Sequence, residues 1–290
     1  MKIRKAILPV AGMGTRFLPA TKAQPKEMLT LVDKPVIQYV VEEAVASGIE
    51  EIIFVTSLTK RAIEDHFDRN FELETRLRQK GRKDDIAMLD RISGMAKFAF
   101  VRQLAPLGDG HAILSALPFV DAHEPVAVLF GDNVFDSKIP ATAQLLSAYE
   151  KYHDPVIGLY DVGRKNVSRY GIASGTMISK DIMELKGFVE KPDAAEAPST
   201  FAAMGRYVIT PEIMDILKTQ KPGKDGEIRL ADAFITHVSR NAALYGKIAD
   251  TTWYDCGDKQ SFMLANVALG LKDPRFGSGL RKELKKLLVK

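Results

Sequence analysis

Two short apolar runs, each followed within a few residues by an amphipathic helical pattern, restrict this chain's fold more than any other feature. Lys5 to Ala11 (KAILPVA) reads as a buried strand that feeds a glycine loop. Beyond Asp33, KPVIQYVVEEAVASG sets Val36, Tyr39, Val40, Glu43 and Ala44 at helical spacing, with Gly48 where a C-terminal cap belongs. EIIFVTS from Glu51 is a second buried strand, and Thr59 is placed to cap the helix after it. Two such units in about sixty residues predict a parallel sheet.

Asn70 to Arg91 is dense in charge with scattered apolar positions, which reads as a mobile helical excursion on the surface, outside any chemistry. Strand patterns return at KFAFVRQ from Lys97 and at PVAVLFGD from Pro125, the latter ending in Asp132. VIGLYDV, the stretch from Tyr170 to Ile178, MELKGFVEKP and AAMGRYVIT read as shorter strands, so the second half is α+β in character. No Gly/Ser/Pro linker separates the halves, and one domain over residues 1–290 is expected.

With 290 residues and 46% hydrophobic content, the chain can bury a substantial core. Its 41 basic and 37 acidic residues give a net charge of +4 and are mixed along the chain, which argues against a nucleic-acid partner and suits a small anion. Cys256 is the lone cysteine, as a reducing cytoplasm allows. The N-terminal apolar run is too short for a signal peptide, and no stretch approaches the roughly 20 apolar residues of a membrane span. The expectation is a soluble cytoplasmic protein with no membrane partner. The five histidines show no zinc-binding spacing, and no G-x-S-x-G elbow is present.

After the first strand comes Ala11-Gly12-Met13-Gly14-Thr15-Arg16. It is not a dinucleotide fingerprint, because Phe17 stands where the third glycine belongs and Pro19 follows. Nor is it a Walker A loop, since no Gly-Lys-Ser/Thr follows. What remains is a glycine loop with amides open to phosphate, then Arg16, Lys22 and Lys26, on a connection stiffened by Pro19 and Pro25. Fixed cations of this kind stabilise charge that grows on an attacked phosphoryl group and on departing pyrophosphate. A plain tight turn with solvated cations fits the same residues.

The longer string GMGTRFLPATKAQPKEMLTLVDKPVIQYVVEE, Gly12 to Glu43, resembles the sugar-nucleotide pyrophosphorylase superfamily, and the bacterial UTP–glucose-1-phosphate uridylyltransferases in particular. The superfamily pattern G-x-G-T-R, a gap, then P-K-x-x is met by Gly12 to Arg16 and by Pro25-Lys26-Glu27-Met28. The resemblance runs from Lys2 to about Gly270. It implies a three-layer α/β/α nucleotidyltransferase fold with a mixed, mostly parallel sheet. The nucleotide-binding half would extend to about residue 135, the sugar-binding half from 136 to 270, and a basic C-terminal segment from 271 to 290. The implied reaction joins UTP and glucose 1-phosphate into UDP-glucose and pyrophosphate, a polysaccharide precursor step, with Mg2+ as cofactor. The same chemistry with dTTP, as in a glucose-1-phosphate thymidylyltransferase, and a non-catalytic binding subunit are the alternatives.

By this resemblance Arg16 and Lys26 are the catalytic cations, and Ala11, Gly12, Gly14 and Glu27 lie near the nucleotide. Asp132, at a strand end within LFGDN, can be a magnesium ligand or a loop or capping carboxylate, and the resemblance assigns it to the metal. The element Trp253-Tyr254-Asp255-Cys256-Gly257-Asp258 likewise assigns Asp255 as second ligand, with Asp258 left to cap the following helix. Gln103 offers a donor and an acceptor to a base edge, and the resemblance places it there with Gly108. Asp109, in a position usually apolar or small, and Asn133, where an acid is frequent, depart from the pattern. Glu190 and Lys191, within V-E-K-P, can be an exposed strand-end pair or the acceptor and cation of a sugar phosphate. The resemblance favours the second, with Gly171 and Gly205 letting backbone approach the sugar. The terminal GLRKELKKLLVK is amphipathic through Leu280, Leu284, Leu287 and Leu288, as a helix packed on the protein or on a second subunit would be, and a homo-oligomer (dimer or tetramer) is expected.

Overall fold

The computed structural model describes residues 2–288. β1 (Lys5–Pro9) leads through three short 3-10 turns to the two-residue strands β2 (Thr30–Leu31) and β3 (Lys34–Pro35) and to α1 (Val36–Ala46). Next come β4 (Glu51–Thr56), α2 (Arg61–Phe67), α3 (Phe71–Gln79), α4 (Lys83–Ser93), β5 (Lys97–Arg102) and α5 (Asp109–Ala116). β6 (Val126–Leu129), β7 (Asn133–Asp136) and α6 (Ala141–Tyr152) follow. The second half adds β8 (Val156–Asp161), β9 (Gly171–Met177), β10 (Ile182–Glu190), β11 (Phe201–Ile209), α7 (Pro211–Thr219) and α8 (Leu230–Ser239). The chain closes with β12 (Tyr245–Ile248), β13 (Thr252–Asp255), α9 (Lys259–Lys272) and α10 (Gly277–Leu288).

Nine strands form one sheet in the order β5-β4-β1-β6-β11-β8-β12-β10-β9. Its pairings set seven strands in one direction and reverse only β10 and β11, so the sheet is mixed, with four parallel and four antiparallel pairings between neighbours. Alternation along the strands makes the layers. Ala6, Leu8, Ile52 and Phe54 pack on one face with Val40 and Val41 of α1 and Leu145 of α6. Ile7, Ile53 and Val55 face the other side, against Ile113 of α5, Leu217 of α7 and Phe234 of α8. A strand covered on both faces needs apolar residues at every position, which is why KAILP and EIIFVT read as unbroken runs. The three-layer α/β/α fold is therefore present.

Several local expectations match the structure. Gly48 has φ +90° just past α1, with Gly48 N donating to Val45 O and Ile49 N to Ala44 O. Asp258 caps α9 by accepting from Ser261 N at 2.9 Å. The charged excursion forms α3 and α4. Thr59 is a correction: the N-cap position of α2 is Lys60, which makes no side-chain cap; its N–H donates to Ser57 O in a tight turn and its side chain is drawn into the protein. In α10, Leu280 packs onto Gly270 of α9, while Leu287 and Leu288 are exposed; the last two residues of that amphipathic stretch lie outside the described residues. Among the described residues no helix is long and apolar enough to cross a membrane.

Candidate active site

From β1 the chain moves to β4 and β5 on one side and to β6 on the other, so the strand order reverses at the carboxyl end of β1. Open α/β sheets bind ligands in the crevice at such a point. The glycine loop fills it. Gly14 has φ +68°, and a Cβ there would stand 3.1 Å from Lys26 Cβ, so a side chain would be both strained and crowded. Beside the loop opens a cleft of about 580 Å³ whose lining includes Ala11, Gly12, Thr15, Lys26, Glu27, Gln103, Gly108 and Asp132. Gly14 is absent from that lining and acts by letting the Lys26 stem pack close. Arg16 also lies outside it: the side chain is exposed, with Nη1 3.5 Å from Gly257 O. Lys22 is exposed on the neighbouring turn.

Lys26 Nζ lies 2.5 Å from Asp132 Oδ2, in the loop between β6 and β7. Asn133 Nδ2 donates to Asp132 Oδ1 at 3.1 Å and its Oδ1 accepts from Trp253 Nε1 at 2.7 Å, which an ionised acid at 133 could not do on the donor side. Burial works to raise the Asp132 carboxyl, but Lys26 and, further off, Arg16 outweigh it and hold the group below the ordinary carboxylate range. Burial opposes the Lys26 charge too, and Asp132 with Glu27 more than compensates, so its ammonium is raised. Asp255, at the end of β13, goes the other way: burial, then the charge of Asp132, push its carboxyl up.

A Cβ at Gly257 would stand 2.8 Å from Asp132 Oδ2 and 3.1 Å from Asp255 Oδ1. The two oxygens are thus at most about 6 Å apart, and only a residue without a side chain fits between them, although Asp132 lines the cleft beside the glycine loop and Asp255 lines a neighbouring cavity. Such a pair fits magnesium, which takes one or two carboxylates and completes its shell with water and phosphate oxygens. Among the described residues no group of three or more His, Cys, Asp or Glu could hold a metal.

Gln103 Nε2 donates to Gly108 O at 2.9 Å and lies 3.1 Å from His111 Nδ1, which fixes the amide at the far wall of the cleft. Glu27 lines the cleft yet its carboxylate turns inward to Lys60, Nζ to Oε2 2.7 Å, with both side chains almost fully buried. Gly171, Glu190 and Lys191 line a second cavity of about 420 Å³, which also holds Phe188, Tyr207 and Asp232. Glu190 sits opposite Gly171 in the β9–β10 register, and a Cβ at Gly171 would meet Glu190 Oε2 at 3.1 Å. Lys191 has φ +45°, a strained conformation for a lysine, and pairs with Glu190 at 3.2 Å while both remain largely exposed. Gly205 does not line this cavity. With φ +73° it packs behind the Asp132 loop, where a Cβ would stand 2.6 Å from Asn133 Nδ2.

Sequence reasoning passed over several residues that build the site. Arg206 is fully buried and donates to Phe130 O (3.1 Å), Asn133 O (2.8 Å) and Glu43 Oε2 (2.7 Å), clamping the loop on both sides of Asp132. Glu227 and Arg229 line the cleft from the loop before α8. That loop's Gly- and Pro-rich sequence, KPGKDGEIRL, was the available signal; the burial of Arg206 and Lys60 left none.

The arrangement can hold a polyphosphate along a glycine loop, neutralise it with lysine and a carboxylate-bound cation, and present it to a ligand in the second cavity. The profile of the nucleotidyl transferase family matches residues 5–270. The chain is 46% identical over 279 residues to the UTP–glucose-1-phosphate uridylyltransferase YngB of Bacillus subtilis, covering 96% of this chain and 93% of that one. A UDP-glucose pyrophosphorylase of Acinetobacter baumannii superposes with a TM-score of 0.91 at 38% identity, over 98% of this chain and 99% of that one. A UTP-bound UGPase from Acinetobacter baumannii gives 0.89 at 38% identity, over 99% of each. By sequence profile, near-full-length relatives and fold, the chain belongs to the nucleotidyl transferase family.

Proposed function

We propose that this chain transfers the uridylyl group of UTP to glucose 1-phosphate, giving UDP-glucose and pyrophosphate. The observation that carries the reading is the cluster at the sheet's switch point, where Lys26 holds Asp132 at 2.5 Å and Gly257 lets Asp255 approach Asp132 from the other side. In this reading the base lies against Gln103 and Gly108 and the triphosphate follows the glycine loop. An oxygen of the sugar phosphate attacks the α-phosphorus in line, and the new P–O bond forms as the bond to pyrophosphate breaks. Lys26 and Arg16 neutralise the departing pyrophosphate. Lys191 offsets the charge of the sugar phosphate, and Glu190 accepts from a sugar hydroxyl. Magnesium, when held by Asp132 and Asp255, supplies further charge neutralisation and orients the triphosphate oxygens. Positioning and electrostatics suffice, so no side-chain nucleophile is needed.

The names of the relatives support uracil and glucose over thymine and other pairs. We also read the chain as one domain, supported by a sheet in which β11 pairs with β6 of the first half and β8 of the second. Exposed Met263, Leu264 and Val267 on α9 support a homo-oligomer, and the single cysteine supports a cytoplasmic setting. The test is pyrophosphate release across a panel of nucleoside triphosphates and sugar 1-phosphates with magnesium. UTP with glucose 1-phosphate is expected to lead, and a chelator to abolish turnover until magnesium is restored. A best rate with dTTP would reassign the base, and no release with any pair would leave a binding protein.

A further inference from the structure

One short wall separates the nucleotide cleft from the sugar cavity, and Asp109 belongs to the lining of both. The wall forms where the loop before α5 meets the segment before α8. Ile228 N donates to Leu107 O at 2.7 Å, and Gly110 N donates to Ile228 O at 2.9 Å. Asp109 Oδ1 closes the join, accepting from Gly110 N at 2.7 Å and Leu230 N at 2.9 Å. A single oxygen thus satisfies donors at the first turns of two helices.

The other oxygen is unused: among the described residues Asp109 Oδ2 has no hydrogen-bond partner. Capping uses Oδ1 alone, and Oδ2 is not among the buried side-chain atoms left without a partner, so it is open to a ligand at the cavity surface. Tyr207 lines the same cavity as Asp109. A carboxylate repels phosphate but accepts from hydroxyls, and the hydroxyl-rich part of the ligand is the sugar ring.

We propose that Asp109 is a sugar-specificity residue, with Oδ2 accepting a hydrogen bond from one ring hydroxyl of the hexose 1-phosphate where the sugar cavity meets the nucleotide cleft. The assignment rests on the sugar nucleotidyl-transfer reading above. An acceptor-only group selects a free hydroxyl at that ring position and rejects hydrogen, alkyl or acyl in its place.

Asp109→Asn separates the two roles, because the amide oxygen keeps both caps while Nδ2 replaces the acceptor. Pyrophosphate release is measured with UTP and either glucose 1-phosphate or each of its monodeoxy analogues, for the unaltered enzyme and for D109N. We expect kcat/KM for glucose 1-phosphate to fall roughly tenfold to a hundredfold in D109N, through KM, with KM for UTP within about twofold of its original value. One analogue should lose a similar factor with the unaltered enzyme and nothing further with D109N. An unchanged KM for the sugar phosphate, or a shift confined to UTP, overturns the assignment. If D109N does not fold, Asp109→Ser takes its place, because its hydroxyl can keep a cap and it lacks the second oxygen: loss of discrimination at one hydroxyl supports the contact, and discrimination equal to that of the unaltered enzyme overturns it. If the unaltered enzyme releases no pyrophosphate with any pair, the functional reading itself fails.

Discussion

Lys26 holds the place that a phosphate or metal-bound oxygen would demand, since its ammonium neutralises Asp132 directly and stands in the cleft beside the glycine loop. On the proposed mechanism, Lys26→Ala removes one strong charge stabiliser from a site that works by preorganised charge. It is expected to lower kcat by roughly 10²–10³, with KM for glucose 1-phosphate changed far less. Steady-state kinetics and a circular dichroism spectrum check this together, and near-normal turnover by a folded variant would remove Lys26 from the mechanism. That lysine was legible because its motif is contiguous: Gly12 to Arg16 and Pro25 to Met28 lie on one loop, and their spacing survives folding. The role of Gly205 was not, because it depends on Asn133 approaching from another strand connection.

Elements show the same division. The strands were readable because each is buried by its own run of residues, whereas the cap of α2 was misread at Thr59 because a turn residue with a long side chain, Lys60, is claimed by Glu27 from a distant loop. Asp258→Ala is therefore expected to cost about 1 kcal/mol through α9, while Thr59→Ala stays within about 0.5 kcal/mol; urea unfolding of both variants measures the contrast. The α1–α2 join adds a pH dependence. His66 Nε2 lies 3.0 Å from Gln38 Oε1, and burial lowers the imidazole below its ordinary pKa. The folded state then binds fewer protons than the unfolded one, so this contribution is complete above the unfolded value of about 6.5 and is lost as pH falls through the depressed folded one. The thermal midpoint should drop between pH 7.5 and 5.5 more in the unaltered protein than in His66→Gln, which has no titrating group there. Equal drops would show that other groups carry the acid sensitivity.

At the scale of the whole molecule, the least legible feature ties together the most. Arg206 on β11 reaches Glu43 on α1, and Glu43 in turn accepts from Thr142 N at 2.9 Å and Thr142 Oγ1 at 2.6 Å at the start of α6. The partners are 163 and 99 residues apart, so no local pattern could announce them. The same guanidinium holds the carbonyls on either side of Gly131 and Asp132 and lies 4.5 Å over the Phe135 ring. Removing one partner of such a pair leaves the other buried and unpaired. Arg206→Met is thus expected to cost about 3–5 kcal/mol, whereas Arg206→Met combined with Glu43→Gln should recover a measurable part of it. Because β11 lies between β6 and β8, the loss should appear as one earlier unfolding transition seen alike by near-UV and far-UV dichroism. Two separated transitions would mean that the halves of the sheet unfold independently and that the clamp serves only the Asp132 loop.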